Sequence, residues 1–125
     1  MNHLVFVYGT LKKNESNHGW MCKSFFVKEA VTAKEYLLYD LGAYPCLVKA
    51  PHGKGRNIRG ELYEVTDGVL KGLDVLEGVA HGHYERVRIK LLKTKELVWG
   101  YLYPHDVSRF RDAGDFWTGR EGNHA

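Results

Sequence analysis

One carboxylate in this sequence stands where an apolar side chain is expected. Leu70, Leu73 and Glu77 recur at i, i+3 and i+7, a spacing that puts all three on one stripe of a helix. Glu77 is also at the C-terminal end of that helix, where the macrodipole disfavours negative charge. Asp74 adds a like charge one turn earlier. Partial burial, the dipole and the acidic neighbour each push a carboxylate pKa upward. A carboxyl that exchanges protons near neutral pH is what general acid–base chemistry needs. A Glu at a helix end can equally turn outward into water, and the helix pattern alone leaves that reading open.

The second chemical feature lies at the other end of the chain. Leu4-Val5-Phe6-Val7-Tyr8 is a short strand rich in β-branched and aromatic residues, and it runs into Gly9-Thr10-Leu11-Lys12. A glycine there permits a sharp bend and a close approach of a ligand to the backbone. Successive N–H groups after such a bend can form a concavity that binds anions.

Other candidate chemistry is weaker. His81-Gly82-His83 could share a strand face as metal ligands, but no third ligand has recognisable spacing, and a polar loop near the pocket is expected instead. Gly53-Lys54-Gly55-Arg56 lacks the Walker pattern for phosphate and reads as a flexible loop. Cys22 and Cys46 show neither CxxC spacing nor an activating arrangement, so ordinary thiols in a reducing compartment are expected. The hydroxyl of Tyr84 points either into a pocket or away from one, with the ring packing the core. Trp99, Tyr101 and Tyr103 share a strand face; core packing is the expectation, and one of them lining the cavity is the alternative.

The elements that must position these groups follow from periodicity. Ile58 to Val65 alternates with period two and is a strand. Thr66-Asp67 offers an N-cap, Asp67 to Glu77 forms a helix of about three turns, and Gly78 ends it. Tyr84 to Leu92 and Glu96 to Tyr103 form a hairpin pair. Trp20 to Phe26 is compatible with a short helix, Phe26 to Tyr39 with a strand, and Pro45 to Val48 with another after the Leu41–Pro45 turn. About six strands and one main helix give an α+β fold, a small, mostly antiparallel barrel or bent sheet. A single domain over residues 1–125 is expected, with 108–125 a polar C-terminal arm.

Composition narrows the function classes. Hydrophobic residues make up 44% of the 125, enough for one core without staples. The net charge of +3 comes from scattered basic residues and is no nucleic-acid signature. The apolar runs are strand-sized and no secretory signal is recognisable, so a cytoplasmic protein without membrane association is expected.

Taken in order, the motifs resemble the γ-glutamylcyclotransferase-like superfamily, which includes γ-glutamylamine cyclotransferases and AIG2-like proteins. The resemblance is carried by Val7-Tyr8-Gly9-Thr10-Leu11-Lys12, Leu41-Gly42-Ala43-Tyr44-Pro45, Gly60-Glu61-Leu62-Tyr63-Glu64-Val65, Leu73-Asp74-Val75-Leu76-Glu77-Gly78, Tyr84-Glu85-Arg86 and Trp99-Gly100-Tyr101-Leu102-Tyr103. It implies a small mixed β-barrel with flanking helices. It also implies cleavage of a γ-glutamyl amide by cyclisation to 5-oxoproline and a free amine, with no metal or organic cofactor. Glu77 matches the family's catalytic glutamate; Tyr8, Gly9, Thr10 and Leu11 match its substrate loop, and Tyr84 is a further candidate for substrate binding. The chain departs from the family where a proline often follows Glu-Gly, here Val79-Ala80-His81-Gly82-His83. A binding module with the same pocket and no turnover is the competing expectation. The oligomeric state and the leaving amine are not legible in the sequence.

Overall fold

The computed structural model describes residues 2–119. In chain order the elements are β1 (Asn2–Val7), β2 (Phe25–Val31), β3 (Tyr36–Asp40), β4 (Pro45–Lys49), β5 (Arg59–Thr66), α1 (Asp67–Leu76), β6 (Glu85–Lys90), β7 (Leu97–Leu102) and β8 (Arg111–Gly114). Eight strands join one curled, mostly antiparallel sheet, two more than the sequence pattern suggests.

The sheet branches at β7. Along one edge β6 pairs with it through the full register, Glu85↔Leu102 to Lys90↔Leu97. Two parallel partners divide the other edge: β1 through Val5↔Trp99 and β4 through Leu47↔Leu102. From β1 the sheet continues to β5 and β2, and from β4 to β3 and β8. The Thr32↔Leu91 bridge, with Ala33 N–H donating to Lys90 O (2.9 Å) and Leu92 N–H to Val31 O (2.8 Å), brings β2 round to the end of β6. The run β2-β5-β1-β7-β6 is thereby curled into a small barrel, and β4-β3-β8 forms a flap beside it.

Alternation along β1 explains why it is buried on both faces. Phe6 and Tyr8 pack with Leu38, Leu47, Ile58, Leu62, Ile89 and Val98. Val5 and Val7 pack on the opposite side with Tyr63, Val65, Leu70, Leu73 and Tyr101, under the helix. The helix begins where expected: the Thr66 hydroxyl caps it by accepting from Val69 N–H at 3.2 Å. Its apolar stripe, Leu70 and Leu73, lies on β1 and β5.

Three expectations need correction. The stretch read as one strand from Phe26 to Tyr39 is two strands, because the chain leaves β5 at Thr32 to meet Leu91 and then turns, with Glu35 N–H donating to Ala33 O at 2.7 Å. The short helix considered for Trp20 to Phe26 is only a 3-10 turn, His18–Met21; Phe25 already belongs to β2. The C-terminal segment, expected as a weakly ordered or surface-packed polar arm, is built into the sheet and core as far as Gly119. Arg111–Gly114 pairs with β3, and Trp117 is 4% exposed within the first core cluster. Its indole N–H donates to Asp40 Oδ1 at 3.2 Å, a carboxylate that also holds Arg111 at 2.5 Å. Residues 120–125 of the expected arm lie outside the described residues.

Trp117 therefore contributes to the core like a residue of the barrel. Trp117→Ala is expected to destabilise the protein by about 3–5 kcal/mol in urea denaturation, the range for a buried large aromatic; a surface arm would give less than about 0.5 kcal/mol.

Candidate functional site

The branch at β7 creates the site. Where β1 and β4 part from the shared edge, backbone groups are left without strand partners, and the Tyr8 side chain fills the gap. Its hydroxyl donates to Tyr101 O at 2.6 Å and accepts from Leu47 N–H at 3.3 Å. Beyond this link lies a cavity of about 240 Å3, lined by Val7 to Leu11, Tyr44, Pro45, Glu77, His83, Tyr84 and Tyr101 among others.

Glu77 reaches this cavity because of how the helix ends. It is the C-cap residue, still in the α-helical conformation, with its N–H donating to Leu73 O at 2.9 Å. Gly78 then takes φ +64°, a left-handed geometry that suits glycine and turns the chain away. Its carbonyl accepts from the N–H of His83 at 3.1 Å, which folds the 79–83 connection back towards Glu77. The carboxyl stays on the apolar stripe, and burial pushes its pKa from 4.5 to about 7. Burial alone accounts for the shift. Asp74, expected to repel Glu77, is engaged elsewhere: its Oδ1 pairs with Arg86 Nε at 2.9 Å and accepts from Tyr101 Oη–H at 2.8 Å.

Tyr84-Glu85-Arg86 thus has a geometric meaning. While Arg86 holds Asp74 of the helix, the Tyr84 hydroxyl donates to Pro45 O at 2.8 Å, fixing the Leu41–Pro45 turn. The hydroxyls of Tyr8, Tyr84 and Tyr101 all donate to the protein itself. Burial first, with the charge of Glu77 adding to it, drives all three well above the usual tyrosine range. They line the cavity as neutral donors already in use.

The loop after β1 presents the opposite arrangement. Each of its carbonyls has a partner: Gly9 O accepts from Lys12 N–H (3.1 Å), Thr10 O from Asn17 N–H (2.8 Å), and Leu11 O is bonded to His18 Nδ1 (2.8 Å). Among the described residues, no protein group accepts from the N–H of Gly9, Thr10 or Leu11. The loop therefore offers donors only. Packing also requires glycine at position 9: its φ is not positive, but a Cβ there would sit 2.6 Å from Pro45 Cγ, so glycine lets the loop pack on the Tyr44-Pro45 turn.

Glu77, Tyr8, Gly9, Thr10, Leu11 and Tyr84 are all brought to one cavity. His83 lies in its wall, in the connection after Gly78 expected as a polar loop near the pocket. Tyr44, Pro45 and Asn17 also line it; the Gly-x-Tyr-Pro turn is a signal for the first two, and nothing local marks Asn17. Cys46 is buried and its thiol is pushed up to about 12, which leaves it unreactive. No group of three or more potential metal ligands is found among the described residues, and no helix there is long and apolar enough to cross a membrane.

A barrel-like sheet carrying one half-buried carboxylate with a raised pKa beside a small cavity is suited to acid–base chemistry on a small molecule. The chain belongs to the γ-glutamyl cyclotransferase, AIG2-like family, which it matches over residues 5–118. It is 40% identical over 116 residues to a Vibrio cholerae protein provisionally named a γ-glutamylcyclotransferase, covering 93% of this chain and 96% of that one. The crystal structure of a mouse AIG2-like protein superposes with a TM-score of 0.77 at 25% identity, covering 97% of this chain and 92% of that one. The solution structure of Escherichia coli YtfP gives a TM-score of 0.69 at 28% identity, covering 94% and 98%.

The burial of Glu77 has a consequence for stability. A carboxyl whose pKa is higher folded than unfolded favours folding below the unfolded value and loses that contribution as pH rises through the folded one. Glu77→Gln, which removes the charge, is expected to raise stability at pH 8 by about 2–3 kcal/mol relative to the parent. Below pH 4 the two proteins should converge. Urea denaturation at the two pH values measures the difference.

Proposed function

We propose that the protein is a cyclotransferase that cleaves a γ-glutamyl amide by intramolecular attack, releasing 5-oxoproline and a free amine, with Glu77 as general acid and base. The observation that carries this reading is that Glu77, whose carboxyl is raised to about 7, lines one cavity with Gly9, Thr10 and Leu11, whose N–H groups have no acceptor among the described residues. Family membership supports γ-glutamyl compounds as the substrate class.

The chemistry requires few groups. The substrate enters with an α-ammonium, an α-carboxylate and a γ-amide. The Glu77 carboxylate takes a proton from the ammonium, and the freed nitrogen attacks the γ-carbonyl carbon, closing a five-membered ring. Negative charge develops on the former carbonyl oxygen. Glu77 returns the proton to the amide nitrogen, the bond from carbon to that nitrogen breaks, and the amine departs. The ring nitrogen sheds its second proton as this happens, so 5-oxoproline and an ammonium product balance the starting zwitterion. One carboxylate serves both halves because its pKa lies near the operating pH. Nucleophile and electrophile arrive joined, and favourable geometry in such cases is worth up to about 7–11 kcal/mol.

The loop N–H groups bind an anion, either the α-carboxylate or the developing oxyanion. Their carbonyls are all engaged on the protein side, so nothing in the loop backbone repels negative charge. Tyr8 serves by holding the fork open and in register, since its hydroxyl is committed to Tyr101 and Leu47. Tyr84 does the same for the Pro45 turn while its ring walls the cavity. The γ-glutamylamine type of substrate is the preferred reading: among the described residues, no Lys or Arg lines the cavity to pair with a carboxylate on the leaving group.

Release of 5-oxoproline from a panel of γ-glutamyl amines and γ-glutamyl amino acids tests the proposal. Turnover is expected for the amines, with kcat/KM rising through an apparent pKa near that of Glu77. Glu77→Gln should lower kcat about 10²–10⁴-fold while the far-UV spectrum is retained. A Glu77→Gln protein as active as the parent would remove the residue from the reaction. Binding of the panel without any turnover would establish the fold here as a binding module.

A further inference from the structure

Lys12 is 2% exposed, yet it follows directly on the donor loop and takes no part in the reaction above. Its Nζ donates to the backbone carbonyl of Trp117. The same ammonium lies 3.8 Å from the centroid of the Phe116 ring, and Arg59 covers that ring at 4.4 Å. Burial holds Lys12 below the ordinary lysine range, with Glu15 and Glu61 opposing the shift. Among the described residues the Trp117 carbonyl is its one hydrogen-bond acceptor, and a buried cation held this way costs desolvation that the nearby ring and carboxylates only partly offset.

The surrounding bonds show what Lys12 is connected to. Its N–H closes the loop by donating to Gly9 O at 3.1 Å. On the far side the C-terminal segment is itself fastened to the barrel: Arg59 N–H donates to Asp115 O at 2.7 Å, and the Trp117 indole to Asp40 at 3.2 Å. Gly119 N–H adds a weak bond to Glu15 Oε1 at 3.4 Å. Lys12 therefore ties the loop that lines the cavity to a segment that packs more than a hundred residues later in the chain.

We propose that Lys12 is a positioning residue: through its bond to the Trp117 carbonyl it makes the C-terminal segment the back support of the Gly9–Leu11 donor loop, and so sets affinity for the carboxylate-bearing end of the substrate. The inference rests on the reading of that loop as the anion-binding element. The segment from Arg111 to Trp117 is then part of the active-site scaffold, although none of its residues lines the cavity.

The test uses Lys12→Met, which keeps the length of the side chain and removes the charged donor. KM for a γ-glutamyl amine and the dissociation constant for 5-oxoproline are expected to rise about tenfold, with kcat changed less than about twofold. In the ligand-free protein, hydrogen exchange of the Asn17 amide, which is bonded to Thr10 O, should accelerate about tenfold. Exchange of the Leu73 and Glu77 amides in the helix should stay as in the parent, which separates loosening of the loop from general destabilisation. Phe116→Ala, which removes the exposed ring and keeps the carbonyl bond, should show a smaller change in the same direction. Unchanged KM, 5-oxoproline affinity and Asn17 exchange in folded Lys12→Met overturn the proposal. If Lys12→Met does not fold, the same three readouts in Phe116→Ala decide. Should the parent protein release no 5-oxoproline, the cyclotransferase reading fails, and Asn17 exchange still decides the role of Lys12.

Discussion

Two strands compete for one edge of β7, and the phenolic hydroxyl of Tyr8 settles how they share it. A strand edge carries a row of donors and acceptors, and burying that row without partners costs about 1–3 kcal/mol for each unpaired group. Where β1 and β4 diverge, the Tyr101 carbonyl and the Leu47 N–H would both be stranded in the core. The Tyr8 hydroxyl donates to the Tyr101 carbonyl and accepts from the Leu47 N–H, so the fork can exist without a penalty of that size. A concavity at that depth needs such a fork. An unbroken ladder would fill it with backbone, and an unsupported one would close or flood.

Everything that bears on chemistry is arranged around this opening. The helix sits on β1 and β5 through Leu70 and Leu73, and its last residue is carried to the cavity wall. The Tyr44-Pro45 turn packs on Gly9 so closely that no side chain fits there. Arg86 removes Asp74 from the vicinity of Glu77 electrostatically, leaving desolvation as the cause of the raised pKa. The carboxyl is therefore tuned by burial alone, and its proton affinity depends on how dry the cavity is. A substrate that excludes further water would push it the same way.

The protein also illustrates how tyrosines can build a polar-looking cavity that is chemically quiet. Three phenols line it, and each is committed to a backbone carbonyl or a carboxylate of the scaffold. The groups left open are a carboxyl and a run of amide N–H. This division suits a reaction that needs one proton carrier and stabilisation of negative charge, with the substrate supplying its own nucleophile.

Much of this was legible in the residues. Alternation fixed the strands 58–65, 84–92 and 96–103 to within two residues or so, and the Thr66 cap, the Leu70–Leu73 stripe and Gly78 defined the helix. Glu77 stood out because a carboxylate interrupted that stripe, but periodicity left open whether it turned outward into water; the cavity beside it is a tertiary feature. What only the tertiary structure decided are features made by contacts distant in sequence. The division of β7 between β1 and β4, the burial of Lys12 under Phe116 and Trp117, the neutralisation of Asp74 by Arg86 and the core role of Trp117 each join segments far apart in the chain. Periodicity reports which face of an element is apolar. It carries no information on which other face will cover it, because that choice is made by the packing of the whole chain at once.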